Sequence, residues 1–417
     1  MIKRQIFDQL KAHLSHKEIS LIVGPRQAGK TTLMSLLKED LERKGEKTLF
    51  LSLDIERDRQ FFTSQETLLR KIQLEIGKGK GYVFLDEIQR KEDAGIFLKG
   101  LYDMNLAYKF IVSGSGSLEL KEKIHESLAG RKRIFELSTL SFQEFVNFKT
   151  DYRYAQKLQE FFAVELEKTK ALFDEYLHFG GYPRIALAST IDEKQKEAGD
   201  IYQAYLERDI SNLLGVEKEE AFTRLVRLIA SQIGSLVNVS ELSNTLGIST
   251  KTVKHYLWYL EKTFIVNKAT PYYKNVRKEL TKSPVYYFVD LGLRNYASSE
   301  FTGLADSSLG FLFQNFVFNA LREKLFLPAH HLHFWRTKDG AEVDFVLEHR
   351  FGEPIPIEVK ATTLKSPEIS RSFRSFLSAY KPKHAFVLNL GFQGSTKIES
   401  TEVQFLLPYE VSKILVS

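Results

Sequence analysis

The apolar positions of this chain follow two rhythms. Up to about residue 139, short unbroken apolar runs alternate with stretches whose apolar residues recur every three or four positions. "EISLIV" (18–23), "KTLFLSLD" (47–54), "YVFLDEI" (82–88) and "YKFIVSGSGS" (108–117) read as buried strands, and "TLMSLLKEDLERK" (32–44) reads as an amphipathic helix. That alternation predicts an α/β unit around a parallel sheet. From about Leu140 to Gly234 the spacing is helical throughout, as in "DYRYAQKLQEFFAVELEKTKALFDEYLHF" (151–179), followed by the turn "FGGYP" (179–183). "VNVSELSNTLGISTKTVKHYLWYLEKTFIV" (237–266) then predicts two short helices, with Ser240 and Ser249 as caps and Gly247 at the turn. Two strand-like runs, "FIVNKATPYY" and "PVYYFVD", follow it and complete the pattern of a winged helix. The expected units are 1–139, 140–234, 235–290 and 291–417.

A length of 417 residues agrees with about three domains. A hydrophobic share of 43% and a charged share of 27% suit a soluble globular chain. The absence of cysteine excludes disulfides, thiolate-bound zinc and a cysteine nucleophile. The start, "MIKRQIFDQLKAHLSHKEIS", lacks the apolar run of a signal peptide, and no stretch is apolar enough to cross a bilayer. A cytoplasmic protein without a membrane partner is therefore expected. The net charge of +6 weakly favours a polyanionic partner. Locally the signal is stronger: Lys268, Lys274, Arg277, Lys278 and Lys282 cluster around Tyr272 and Tyr273 with one acid, Glu279.

The chemistry of the first unit centres on "GPRQAGKTTL" (24–33), which matches G-x-x-x-x-G-K-[ST] between a strand and a helix. Gly24, Pro25, Arg26, Gln27, Ala28, Gly29, Lys30, Thr31 and Thr32 are the expected ATP-binding residues. Backbone N–H groups of such a loop and the helix N-terminus face phosphate, Lys30 reaches the β and γ phosphates, and Thr31 holds Mg²⁺. In "YVFLDEI", Asp86 is the second Mg²⁺ group and Glu87 the general base. Ser113, at the end of the next strand, is placed to sense the γ-phosphate, with Ser115 as the alternative. Arg131 in "LAGRKRIFEL" is the expected arginine on the developing phosphate charge, in the same chain or from a neighbouring copy, which leaves an oligomer open. Arg208 and Asp209 in "YLERDI" are further candidates for this site, or else form an ion pair.

On the second predicted helix of the helix-turn-helix, Thr250, Lys251, Lys254 and His255 project away from the apolar face, as on a helix lying in a major groove. Lys251 and Lys254, with Lys274, Arg277 and Lys278 of the following loop, are the candidate nucleic-acid contacts. DNA is the favoured partner, and such modules also serve as protein–protein joints.

"WRTKDGAEVDFVLEHRFGEPIPIEVKAT" (335–362) poses the other chemical question. Simple alternation puts Val343, Phe345 and Leu347 on one face of the first strand and Glu342 and Asp344 on the other. A hairpin centred near Phe351 sets Asp344 across from Glu358. Opposed carboxylates repel unless a cation lies between them, which suits a second Mg²⁺ or Mn²⁺, with Lys360 activating water. The D…E-x-K spacing resembles restriction-endonuclease-like nucleases. In those a glutamate on an earlier helix completes the metal site, whereas "GFLFQNFVFNALREKL" (310–325) offers Gln314, one negative charge short. The three histidines of "HHLHF" have no acidic partner in sequence and are assigned no site.

Taken in order, Gly24–Thr31, "FLDEI", "SGS", "LAGR", "LSFQEF", "FGGYP", "YLERDI", "KSPVYYFVDLGLRN" and "GAEVDFV…IEVK" resemble prokaryotic AAA-type ATP-binding proteins with a C-terminal domain of unknown function (domain of unknown function 4143). The resemblance implies an α/β multidomain chain: an ATPase core, a helical lid, a winged helix and a restriction-endonuclease-like domain. The function expected is a Mg²⁺-dependent ATPase acting as a nucleotide-driven switch on nucleic acid. The alternative is an ATP-gated, non-cleaving adaptor that binds protein or DNA.

Overall fold

A computed structural model describes residues 2–115, 128–205, 219–273, 283–301, 303, 308–323, 325, 331–350 and 353–415. Five parallel strands form the first sheet: β1 (Ile19–Gly24), β2 (Thr48–Ser52), β3 (Gly81–Asp86), β4 (Tyr108–Ser115) and β5 (Lys132–Glu136), in the order β2-β3-β4-β1-β5. β1 and β3 are buried at every position, which is why they appear in sequence as unbroken apolar runs. One face packs on the helix Lys30–Arg43 through Leu33, Met34, Leu37 and Leu41. The other packs on the helices Gln65–Ile76 and Ala94–Asp103. The result is a three-layer α/β unit.

The remaining strands form a second sheet of eight. They are β6 (Val266–Pro271), β7 (Val285–Phe288), β8 (His331–Arg336), β9 (Glu342–Arg350), β10 (Glu353–Lys360), β11 (His384–Asn389), β12 (Gly394–Ile398) and β13 (Thr401–Leu406), in the order β12-β13-β11-β10-β9-β8-β6-β7. β6 pairs antiparallel with β7 and, on its other edge, parallel with β8 through Thr270–His333 and Pro271–Phe334. The expected boundary at 290 therefore does not interrupt the sheet, because β6 satisfies its free edge with a strand from beyond it. One contiguous apolar core runs from Leu140 through the helical segment, the paired helices and this sheet to Ile414. A separate core lies under the helix Arg371–Tyr380 on the sheet's other face.

The two short helices, Val239–Leu246 and Thr250–Lys262, meet at Gly247, whose φ of 66° suits glycine. Ser249 caps the second as expected, accepting the Thr252 N–H. The first is capped by Asn238 rather than Ser240: the Asn238 side chain accepts from the N–H groups of Ser240 and Glu241.

Candidate functional site

Every strand of the first sheet points its C-terminal end to the same edge, and there β1 leads into the loop Gly24–Gly29. Gln27 (φ 58°) and Gly29 (φ 95°) take left-handed backbone, and the helix Lys30–Arg43 starts at once. Arg26 through Thr32 line a cavity of about 540 Å³ together with Glu87, Asp54 and residues of the helical segment. Gly24 and Pro25 contribute differently. Their carbonyls accept hydrogen bonds from Lys30 Nζ at 3.1 and 2.8 Å, holding the ammonium of this buried lysine at the cavity floor.

Beneath the loop, Thr31 Oγ1 donates to Asp86 Oδ2 at 3.0 Å, and Ser52 lies 3.5 Å from the same oxygen. Ser113 donates to Asp86 Oδ1 and accepts the Glu87 N–H at 3.1 Å. Ser113 is fully buried and is not part of the cavity wall; its hydroxyl joins the Asp86 carboxylate to the Glu87 backbone. The side chain of Ser115 lies outside the described residues. Glu87 adopts a left-handed backbone (φ 57°) that turns its carboxylate into the cavity, where Gln89 donates to it. Burial pushes the Glu87 carboxyl above its ordinary range, Lys30 opposes this, and neighbouring Asp86 reinforces it. Thr31 and Asp86 are hard oxygen donors, a set that fits Mg²⁺.

Arg131 falls elsewhere. It precedes β5, whose start pairs with Ile19 at the opposite end of β1 from the loop. Its guanidinium there binds Asp103, with Nε–Oδ1 at 2.7 Å. Within one chain it does not reach the cavity, because in a parallel sheet the N-terminal end of a strand lies far from the C-terminal edge. The arginine the fold does bring there is Arg184, one residue after the "FGGYP" turn. It lines the cavity, donates to Gln27 Oε1 at 3.2 Å and pairs with Glu197 at 2.7 Å. Arg4 also borders the cavity, and its donors reach Ala28 O, Ser138 O, Thr139 O and Glu144. Sequence reasoning missed both. The only local signal for Arg184 was a cation on the first turn of a helix directly after a Gly-Gly turn. Arg208 and Asp209 lie outside the described residues.

Residues 16–146 match the family described as AAA domain. This segment is similar to AAA domains. Residues 309–410 match a domain of unknown function (DUF4143), and 170–306 match a second (DUF8612). Among curated relatives, an uncharacterised protein of Mycobacterium tuberculosis is 29% identical over 90% of this chain and 77% of its own length. An uncharacterised protein of Haemophilus influenzae is 24% identical over 94% of each. Solved structures similar to this chain include the Aeropyrum pernix ORC1 protein in complex with DNA (TM-score 0.32, 12% identity, 72% of this chain and 93% of that one). Replication initiator DnaA bound to AMPPCP and single-stranded DNA is another (TM-score 0.32, 17% identity, 63% and 88%).

In the C-terminal part of the chain, β10 pairs with β9 in the register Pro356–Val346 and Ile357–Phe345, one position short of Glu358 and Asp344. The face of Asp344 differs from expectation. β8 pairs His333 with Val346 but Trp335 with Val343, so Phe334 alone spans both Asp344 and Phe345. Such a bulge turns two successive side chains to the same side. Val343 consequently packs with Val346 under the helix Arg371–Tyr380, while Phe345 and Leu347 face the main core. Asp344 joins the main-core side, where Gln314 Nε2 on the helix Leu309–Arg322 donates to its Oδ1 at 2.6 Å. The Val359 N–H donates to its Oδ2 at 2.7 Å. Gly234 makes room for Gln314, since a Cβ there would sit 2.4 Å from the amide oxygen.

Burial drives the Asp344 carboxyl up to about 7, against the Val359 hydrogen bond and with help from the Glu358 charge. Glu358 is also raised by burial, and its buried Oε2 has no hydrogen-bond partner among the described residues. Lys360 turns to Glu368, 3.3 Å away. Among the described residues, no three His, Asp or Glu side chains are grouped to hold a metal ion. On the helix Thr250–Lys262, Thr250, Lys251, Lys254 and His255 are all exposed. Lys274, Arg277 and Lys278 lie outside the described residues. No helix among the described residues is long and apolar enough to cross a membrane.

Proposed function

We propose that the protein is an ATP-hydrolysing switch whose C-terminal part engages nucleic acid, DNA in the first instance, without cutting it. The observation that carries the first half is the Thr31–Asp86 hydrogen bond beneath a cavity into which Lys30 and Glu87 both project. Lys30 supplies fixed positive charge for the phosphates, and the loop N–H groups and helix N-terminus add to it. Thr31 and Asp86 would hold Mg²⁺, which when bound neutralises phosphate charge. Glu87 accepts the proton of the attacking water, and Ser113 holds that carboxylate in place through the Glu87 N–H.

Support for a non-cleaving C-terminal part comes from Asp344, whose two oxygens are taken by the Gln314 amide and the Val359 N–H. Gln314 supplies a hydrogen bond where a cation site needs charge. The exposed row Thr250, Lys251, Lys254 and His255 supports DNA contact through a winged helix, and a protein-binding adaptor is the reading that applies if DNA does not bind. The deciding experiment measures ATP turnover with Mg²⁺ for the native chain and Glu87→Gln, alongside ATP affinity. Loss of turnover with affinity retained supports the assignment. Equal turnover in both would remove Glu87 as the base, and no ATP binding by the native chain would end the reading.

A further inference from the structure

We propose that Asp290 is a positioning residue for the nucleotide site: it ties the Gly180–Pro183 turn to the C-terminal sheet and so sets Arg184 over the phosphate-binding loop. The inference rests on the nucleotide reading above. Asp290 follows β7, is 3% exposed, and caps the helix Leu291–Ala297 through the Leu293 N–H at 3.0 Å. A cap needs no more than that. Yet the same carboxylate also accepts the Gly181 N–H at 2.8 Å and a hydrogen bond from Thr139. Three segments therefore converge on one side chain: the loop leaving β5, the turn before Arg184, and the first helix after β7.

The surrounding backbone has no room to move past this joint. A Cβ at Gly292 would lie 2.0 Å from Phe179 O, and one at Gly181 would lie 2.3 Å from Leu140 O. Gly180, with φ 72°, would place a Cβ 2.3 Å from Asp290 Oδ1. Leu140 N donates to Gly181 O at 2.7 Å, closing the turn from the other side. Asn295, on the helix that Asp290 caps, donates to Leu177 O and His178 O at 2.9 and 2.8 Å. These are carbonyls of the last turn of the helix Leu166–Phe179, which no helical N–H can satisfy. Three residues beyond Gly181, Arg184 reaches Gln27 in the loop, and Pro183 borders the same cavity. At β7 the chain is equally fixed, because Asn315 exchanges two hydrogen bonds with the Phe288 backbone at 2.8 Å each. A displacement of Arg184 with nucleotide state is thus passed to the eight-stranded sheet through Asp290.

The absence of native cysteines allows a direct test. Spin labels at Glu39→Cys, on the helix after the loop, and Ser189→Cys, beyond the turn, report the lid position without nucleotide. In Asp290→Ala that distance distribution broadens, and KM for ATP rises about tenfold with a smaller change in kcat. Asp290→Ala combined with Arg184→Ala raises KM no further than Arg184→Ala alone, within about twofold, because both remove one interaction. Asp290→Asn, which keeps the shape but sets an amide N–H₂ against backbone N–H groups, shifts in the same direction and carries the test if the alanine variant does not fold. An unchanged label distance and KM with only a lower melting temperature would overturn the proposal, as would multiplicative effects in the double variant. If the native chain does not turn over ATP, the functional reading fails, while the label distances still decide the joint.

Discussion

The nucleotide cavity and the Asp344 site each set a carboxylate at a strand position with a second carboxylate close by, and they end in opposite electrostatic states. Around Asp86 and Glu87 the donors are hydroxyls and the Gln89 amide, the Lys30 charge lies close by, and the space beside them is open. Around Asp344 the donors are an amide and a backbone N–H, the lysine of the motif faces Glu368, and Asp344 holds its proton to about pH 7. Two carboxylates make a cation site when the neighbouring donors can yield to a cation and its charge is needed. When the donors are fixed and one carboxylate is neutral, the same arrangement is an internal hydrogen-bonded strut.

The largest effect that bears on this contrast is expected at Glu87. Glu87→Gln keeps size and polarity but cannot take a proton, so ATP turnover should fall about 100- to 10,000-fold with ATP affinity retained. Steady-state turnover and a binding titration measure the two separately. A fall of less than about threefold would place the base elsewhere and leave Glu87 no different in kind from Glu358.

Next in size is a change that tries to convert the second site into the first. Gln314→Glu restores a negative charge beside Asp344 and removes its amide donor. Mn²⁺ affinity, read by calorimetry, should rise at least about tenfold, since charge count sets cation affinity at oxygen sites. The native chain should show no Mg²⁺- or Mn²⁺-dependent cleavage of duplex, single-stranded or branched DNA. Cleavage by the native chain that is lost in Asp344→Ala would erase the contrast altogether.

How much of this was legible in the sequence follows from which interactions are local. The strand–loop–helix of Gly24–Thr31 announces itself because buried parallel strands are continuously apolar and the loop motif is contiguous. The antiparallel pairing of β9 with β10 was legible too, because a short hairpin loop pins its own register. The bulge at Asp344 and Phe345 was not, since it depends on β8, and alternation within β9 alone predicts the wrong face. Arg131 shows the same limit. Its position after Ala-Gly says nothing about which edge of the sheet it occupies, whereas the parallel pairing of β5 with β1 decides it. Arg184 reaches the cavity by the packing of Gly180, Gly181 and Gly292, contacts between segments over 100 residues apart that no local pattern encodes.

A smaller effect follows from the raised carboxyl of Asp344. Folded, the group keeps its proton to about pH 7, against an ordinary value of 3.8, so folding takes up a proton between those limits. Stability contributed at this site therefore falls as pH rises across that window and levels off above it. Thermal melting at pH 5, 6, 7 and 8 should show a shallower decline for Asp344→Asn than for the native chain. Identical slopes would mean that Asp344 is ionised throughout and that the two carboxylate sites are alike.

The smallest expected effect concerns the exposed row on the helix Thr250–Lys262. Lys251 and Lys254 are one helical turn apart and both exposed, the spacing at which two ammonium groups can follow one phosphate backbone. If both contact phosphates, Lys251→Ala with Lys254→Ala should reduce the slope of log affinity against log salt by about two, and weaken binding to all sequences alike. Fluorescence anisotropy with labelled duplexes over a range of salt gives that slope directly. An unchanged slope with binding intact would move the DNA contact to another surface. If the native chain does not bind DNA at low salt, the exposed row is a protein-facing surface, and the switch acts as an adaptor. ATP should shift the native slope only if the nucleotide site and this helix are coupled, so repeating the titration with Glu87→Gln held in ATP tests the coupling itself. A slope that differs between the ATP-held and nucleotide-free forms would mean that the cavity governs how many phosphates the C-terminal part can reach.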